Sequence, residues 1–303
     1  MSAAISYSEA TDGAAPVADS AEPEFESVAR RPSRRAIIGR VLLVKVLPPF
    51  ITFWLFIGLW CWVSYGVLAP RRRFLLPPPI DVLRKGVFDW TSLHPMLIAL
   101  GLTAKAALIG FAIAVVLGTT AAIIMNGAKW IERSLFPYAV VIQTIPILAL
   151  VPLIGFTLGF NFDSRVLICV MISIFPIVTT VLFGLQSVDR GLHDLFSLQK
   201  ASPGVRLRKL LIPAALPAFF TGLRTSAGLA VIGAIVGDFF FLQGQPGIGA
   251  LINVYSSQLQ SEQLFTAVIL CVLLGISVFL VVGAVSHWVI GAWHESALKP
   301  DQR

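Results

Sequence analysis

Apolar residues run along this chain in long unbroken stretches, not in the alternation that a half-buried strand needs. Six stretches, at 48–69, 97–125, 135–160, 166–187, 212–242 and 264–293, are each long enough for a spanning helix, since about 20 helical residues cross a hydrocarbon core of about 30 Å. No series of segments with alternating polarity suggests a membrane β-barrel. The pattern predicts an all-α polytopic membrane protein with six transmembrane helices. Pro146, Pro152, Pro176 and Pro217 fall inside the expected spans and predict kinks, which a bundle tolerates where neighbouring helices re-satisfy the freed backbone groups.

Composition agrees. Charged residues make up 13% of the chain and hydrophobic ones 56%, where a soluble domain carries about 25% charged residues. The net charge of +7 does not point to nucleic acid, because the Lys and Arg residues sit in short connections and form no basic face; a membrane surface fits better. Residues 1–29 hold six acids and no Lys or Arg, a composition expected to be disordered. Arg30, Arg31, Arg34, Arg35, Arg40 and Lys45 follow. A tail over 1–45 is therefore expected, with a second over 296–303. The first apolar run begins too far into the chain, and lacks the small-residue cleavage pattern, for a signal peptide. With the N-terminus inside, fifteen Lys and Arg fall in the inside segments and six in the outside ones, so both termini are expected to be cytoplasmic.

Catalytic signatures are missing. There is no GxxxxGK[ST] phosphate loop and no G-x-S-x-G. Gly244, Gly247 and Gly249 in GQPGIGALI read as a turn. Cys61, Cys169 and Cys271 lie singly in apolar runs and read as packing residues. His94, His193, His287 and His294 have no metal-ligand spacing. No enzyme activity, metal or cofactor in this chain is expected. Lys105, Arg224 and Asp238 are the ionisable residues within or near spans, and such residues are functional candidates because lipid makes them expensive. Snorkelling is the plainer account of Lys105 and Arg224. Arg224 and Asp238 are too far apart, about 21 Å along one helix, to pair.

The connection DRGLHDLFSLQKASPGVRLRKLL, within 188–211, stands out among the others. Leu192, Leu195, Phe196 and Gln199 have helical spacing, Pro203 and Gly204 then break the pattern, and Arg206, Arg208 and Lys209 lead into span 5. The expectation is a short amphipathic helix, a turn, and a second helix entering the membrane. Such a helix can lie on lipid or dock in a groove on a protein.

DLFSLQKASPGVRLRKLLIPAALP resembles the EAA loop of permease subunits of ATP-binding cassette importers. Asp194 falls at the Glu position of that motif, with Leu195 and Phe196 at its two Ala positions. Ala201 and Ser202 match the Ala-Ser after the motif glycine, and Ile212 and Pro213 match its Leu-Pro. Lys200 stands where the family has glycine, and Pro203 and Gly204 are expected to supply the chain break instead. LLPPPIDVL, QTIPILALVPLIGFTLGF, ALPAFFTGLRTSAGLAVIGAIVGDF and GIGALI are similar to the nitrate/sulfonate/taurine branch, with Asp238 where that branch usually has Glu.

The resemblance implies a type I importer permease fold in the plasma membrane of a prokaryote, and a non-catalytic transport subunit. Its implied partners are cytoplasmic ATPase subunits that bind the ATP, an extracytoplasmic binding protein, a second permease chain in a homodimer, and membrane lipid. Asp194, Leu195, Phe196, Lys200, Ala201, Ser202 and Gly204 are the implied ATPase-coupling residues. Gln143, Thr144, Pro146 and Asp238 are candidates for the translocation path or a gate. The substrate reading is a small anion or organic solute such as nitrate, a sulfonate or taurine. A heterocyclic vitamin precursor of pyrimidine or riboflavin type, or a stand-alone secondary transporter, is the alternative.

Overall fold

The computed structural model describes residues 47–290. The expected tails at 1–45 and 296–303 lie outside the described residues. Nine helices of nine residues or more account for most of this range: α1 (Leu47–Val67), α2 (Trp90–Gly127), α3 (Lys129–Thr144), α4 (Ile147–Leu158), α5 (Phe162–Gln186), α6 (Arg190–Leu198), α7 (Pro203–Phe240), α8 (Ile248–Ser257) and α9 (Ser261–Ile290). Five of them are long and apolar enough to cross a membrane, and α3 with α4 makes a sixth span if the bent pair counts as one.

The chain divides into two compact units after Leu55. Within the first, the start of α1 presents Phe50, Ile51, Phe53 and Trp54 as exposed apolar side chains. That suits a surface facing lipid, where apolar exposure carries no penalty. In the second unit, the end of α1 is tied to the following loop. Trp60 Nε1 donates to the Pro77 carbonyl at 3.0 Å and Ser64 Oγ to that of Leu76 at 2.8 Å.

The core of the second unit is α2, α5 and α7, packed through small residues. Ala106, Ala107, Cys169, Val231 and Ala234 form one buried cluster, and Ala114, Ala122, Ile177, Val181, Leu185 and Ala215 another. A Cβ on Gly110 would fall on the Cys169 side chain, and one on Gly233 would lie 3.0 Å from the Cys169 Cα. Lipid tails are as apolar as leucine, so helices in a membrane associate by close van der Waals fit, which small residues permit.

Four elements depart from the expected spans. The expected span at 97–125 begins earlier, at Trp90, where Asp89 Oδ1 accepts from the Thr91 amide at 3.2 Å. The expected span at 135–160 is two helices bent by 97°. Ile145, at φ −67° and ψ 125°, is extended, because the ring of Pro146 disfavours the helical region for the residue before it. Pro152 leaves α4 unbroken. The expected span at 166–187 begins earlier, at Phe162, where Asn161 Oδ1 accepts from the Asp163 and Ser164 amides at 3.1 and 3.3 Å and so satisfies two of the orphan donors of the first turn. The helix of span 5 begins at Pro203, not 212, and is continuous through a wider, π-type turn at Leu207–Leu211. GIGALI starts helix α8 and is not only a turn.

Candidate functional site

The expected coupling residues sit on α6 and the turn after it. Asp189 caps α6, its Oδ1 accepting from the Gly191 amide at 2.6 Å. The helix has no buried residue: Leu192, Leu195 and Leu198 are exposed, Asp194 is exposed, and Phe196 is half-buried. The apolar face of this amphipathic helix is therefore open.

The chain reverses at Lys200, whose φ of 51° lies in the left-handed region. The Lys200 amide donates to the Ser197 carbonyl and the Ala201 amide to the Phe196 carbonyl, each at 3.0 Å. These two bonds make a Schellman motif, in which a left-handed residue, usually glycine, lets the last helical carbonyls be satisfied. Lys200 thus makes the turn itself, at the place where the resemblance has glycine. The expectation that Pro203 and Gly204 supply the break is corrected. Pro203 opens the next helix, where its missing N–H is no loss, and Gly204 lies in the first turn with open space around it. Ser202 caps that helix, its Oγ accepting from the Val205 amide at 3.4 Å. Arg206 Nη2 donates to Ser197 Oγ at 2.6 Å, clipping α6 to the start of α7.

At the other end of α7 lies a second polar cluster. Asp238 is fully buried, and its Oδ1 is 3.3 Å from Nη1 of Arg165, itself only 2% exposed. Thr103 Oγ donates to Asp238 Oδ2 at 2.5 Å and accepts from the Ile248 amide at 2.9 Å. Arg165 also donates from Nε to the Phe241 carbonyl at 2.9 Å, from Nη1 to that of Gln245 at 3.1 Å and from Nη2 to that of Gln243 at 3.4 Å. The guanidinium fork suits this, because its five donors lie in a fixed plane. One ion pair therefore joins α2, α5, α7, the 241–247 loop and the start of α8. A Cβ on Gly247 would overlap the Asp238 carboxylate, so only glycine fits there.

Arg165 is the residue that reading the sequence missed. Counted as a loop charge, it belongs to the first turn of α5, and Asn161 as a capping residue was the available signal. The path candidates are not gathered around Asp238. Gln143 and Thr144 are exposed at the end of α3, with Thr144 Oγ donating to the Val141 carbonyl at 3.0 Å, and Pro146 is exposed at the 97° bend. Lys105 is exposed, with its ammonium 5.5 Å from the centre of the Phe162 ring.

Comparison with known proteins places this arrangement. Residues 114–291 match the family described as binding-protein-dependent transport system inner membrane component. The chain is 31% identical to the formylaminopyrimidine transport permease protein ThiX of Halalkalibacterium halodurans, over 77% of this chain and 90% of that one. It is 28% identical to the nitrate import permease protein NrtB of Synechocystis, over 72% of this chain and 80% of that one. Among solved structures, a chain of the MetNI methionine ABC transporter in inward-facing form aligns at 19% identity with a TM-score of 0.49, over 70% of this chain and 98% of that one. The protein belongs to the binding-protein-dependent inner membrane components, the permease subunits of ATP-binding cassette importers.

Proposed function

We propose that α6 and the Lys200 turn are the surface through which cytoplasmic ATPase subunits drive this permease. The observation that carries the reading is the open apolar face of α6 joined to a single 38-residue helix. At 1.5 Å per residue, α7 is about 57 Å long and carries the Arg206–Ser197 clip and the Arg165–Asp238 pair about 48 Å apart. A displacement of α6 by nucleotide-driven closure of the ATPases is transmitted along one rigid element to the far end. Phe196, Leu195 and Leu192 fill a groove on the ATPase, while Asp194 and Lys200 pair with charges at its rim. Ala201, Ser202 and Gly204 shape the turn beside them. ATP is held by those partners and not by this chain.

In this reading the 188–211 end and both termini are cytoplasmic, and a binding protein delivers substrate at the end that carries Asp238. Two copies of the permease enclose the path, which Gln143, Thr144 and Pro146 face from the bend between α3 and α4. The Arg165–Asp238 pair acts as a gate element. The substrate is a small solute, either an anion of the nitrate, sulfonate or taurine type or a heterocyclic precursor. The similarity to ThiX favours the second class, and identifying the ligand of the partner binding protein decides between them.

The test of the coupling surface is Phe196→Asp. This variant is expected to reach the membrane in normal amount but to lose co-purification with the ATPase and substrate-stimulated ATP hydrolysis in liposomes. Normal transport by the variant refutes the assignment.

A further inference from the structure

Arg224 is a charge inside a membrane helix with no counter-charge. Among the described residues the ion pairs are Lys85–Glu262 and Arg165–Asp238, and no carboxylate reaches Arg224. Its Nε is buried without a hydrogen-bond partner, and Nη2 makes a long bond of 3.4 Å to the Gly283 carbonyl on α9. An unpaired guanidinium at this depth is costly, and its strongest partners are anionic oxygens.

Beside it opens a cavity of about 620 Å³, lined by Phe183, Ser187, Thr221, Arg224, Ser286 and His287 with neighbouring apolar side chains. Hydroxyls on α7 and α9 and an imidazole thus share one wall space with the guanidinium. The cavity lies toward the 188–211 end of the bundle: Ser187 follows the last residue of α5, and Ile290, also in the lining, ends α9. Position along α7 agrees. Arg224 is about 21 Å from Asp238 along α7, on the side of the 188–211 end.

The surroundings point to a lipid. Phe183 on the rim is 70% exposed, and Pro217, Ala218 and Ile290 continue the apolar lining beside it, a surface for acyl chains. A free oxyanion would satisfy the same donors but gain nothing from these apolar walls. We propose that this cavity binds the phosphate of an anionic phospholipid headgroup, with Arg224 as its charge partner and Thr221, Ser286 and His287 as hydrogen-bonding neighbours.

The full chain, purified in mild detergent and incubated with phosphatidylglycerol, phosphatidylcholine or inorganic phosphate, tests this by native mass spectrometry. The wild type is expected to retain phosphatidylglycerol over phosphatidylcholine, and Arg224→Gln to retain about tenfold less, as loss of one charge-assisted contact implies. Arg224→Lys keeps the charge and should fall between them. Thr221→Val guards against misfolding as the cause, because it leaves the charge in place and should lower retention about threefold. Equal retention by wild type and Arg224→Gln, or no preference between the two lipids, overturns the proposal. Displacement of the lipid by millimolar inorganic phosphate assigns the site to a soluble anion instead, and overturns the lipid.

Discussion

Replacing Lys200 by glycine should strengthen the turn after α6. A residue with a Cβ costs about 1–2 kcal/mol in the left-handed region, and Lys200 holds φ 51° there. Glycine avoids that cost but loses more backbone entropy on ordering, about 0.5–1 kcal/mol. Taking the middle of each range, the net gain is about 0.75 kcal/mol, or a roughly three- to four-fold less frequent opening of the turn. Because the bonds at stake are the Lys200 and Ala201 amides to Ser197 and Phe196, hydrogen exchange of a peptide covering 196–205 reads the effect locally. Exchange should slow roughly three- to four-fold in Lys200→Gly. Valine is β-branched, so a positive φ strains it more than lysine, and Lys200→Val should speed exchange. Unchanged or faster exchange in the glycine variant refutes the argument, because it would mean that the turn does not depend on the left-handed residue.

Other expectations follow from the same geometry. Arg165→Met should lower stability in detergent by about 3–5 kcal/mol, because it leaves Asp238 buried and unpaired, whereas Arg165→Met with Asp238→Leu should cost less than the first change alone; thermal unfolding of both variants checks this. Gly247→Ala pushes a methyl onto the Asp238 carboxylate and should cost about 1–3 kcal/mol, while Gly204→Ala meets open space and should stay within about 0.5 kcal/mol. The Glu262 carboxylate accepts a hydrogen bond from Lys85 at 2.7 Å and so holds the lysine above its ordinary value. That pair is solvent-exposed on the lysine side, so Lys85→Met should cost less than about 1 kcal/mol. A raised lysine keeps its contribution up to the ordinary value of 10.5 and loses it only as pH climbs through the raised one. The stability difference between wild type and Lys85→Met should therefore be level from neutral pH to that point and shrink above it.

The apolar runs determined the class of protein without help from contacts. Length and hydropathy set where helices cross lipid, because an unpaired backbone group in hydrocarbon has no other way to be satisfied. The EAA-like loop was legible for a related reason. Its spacing of Leu192, Leu195 and Phe196 writes an amphipathic helix, and its charges mark it as leaving the membrane. Proline also spoke locally at Pro146, where it disfavours a helical residue before it, although Pro152 leaves its helix unbroken and the angle of the bend did not follow from the sequence.

Tertiary structure decided the rest, because what remained depends on groups distant along the chain. That Arg165 is buried rather than a loop charge depends on Asp238, 73 positions away, and on the carbonyls of the 241–245 loop. The resemblance puts glycine at position 200, but a lysine there does not itself favour a left-handed turn; the Schellman bonds and the Arg206 clip to Ser197 hold it there. Composition could flag Asp238 and Arg224 alike as costly charges in a membrane. Only packing separates them, since one meets its opposite charge inside the bundle and the other faces a cavity without one.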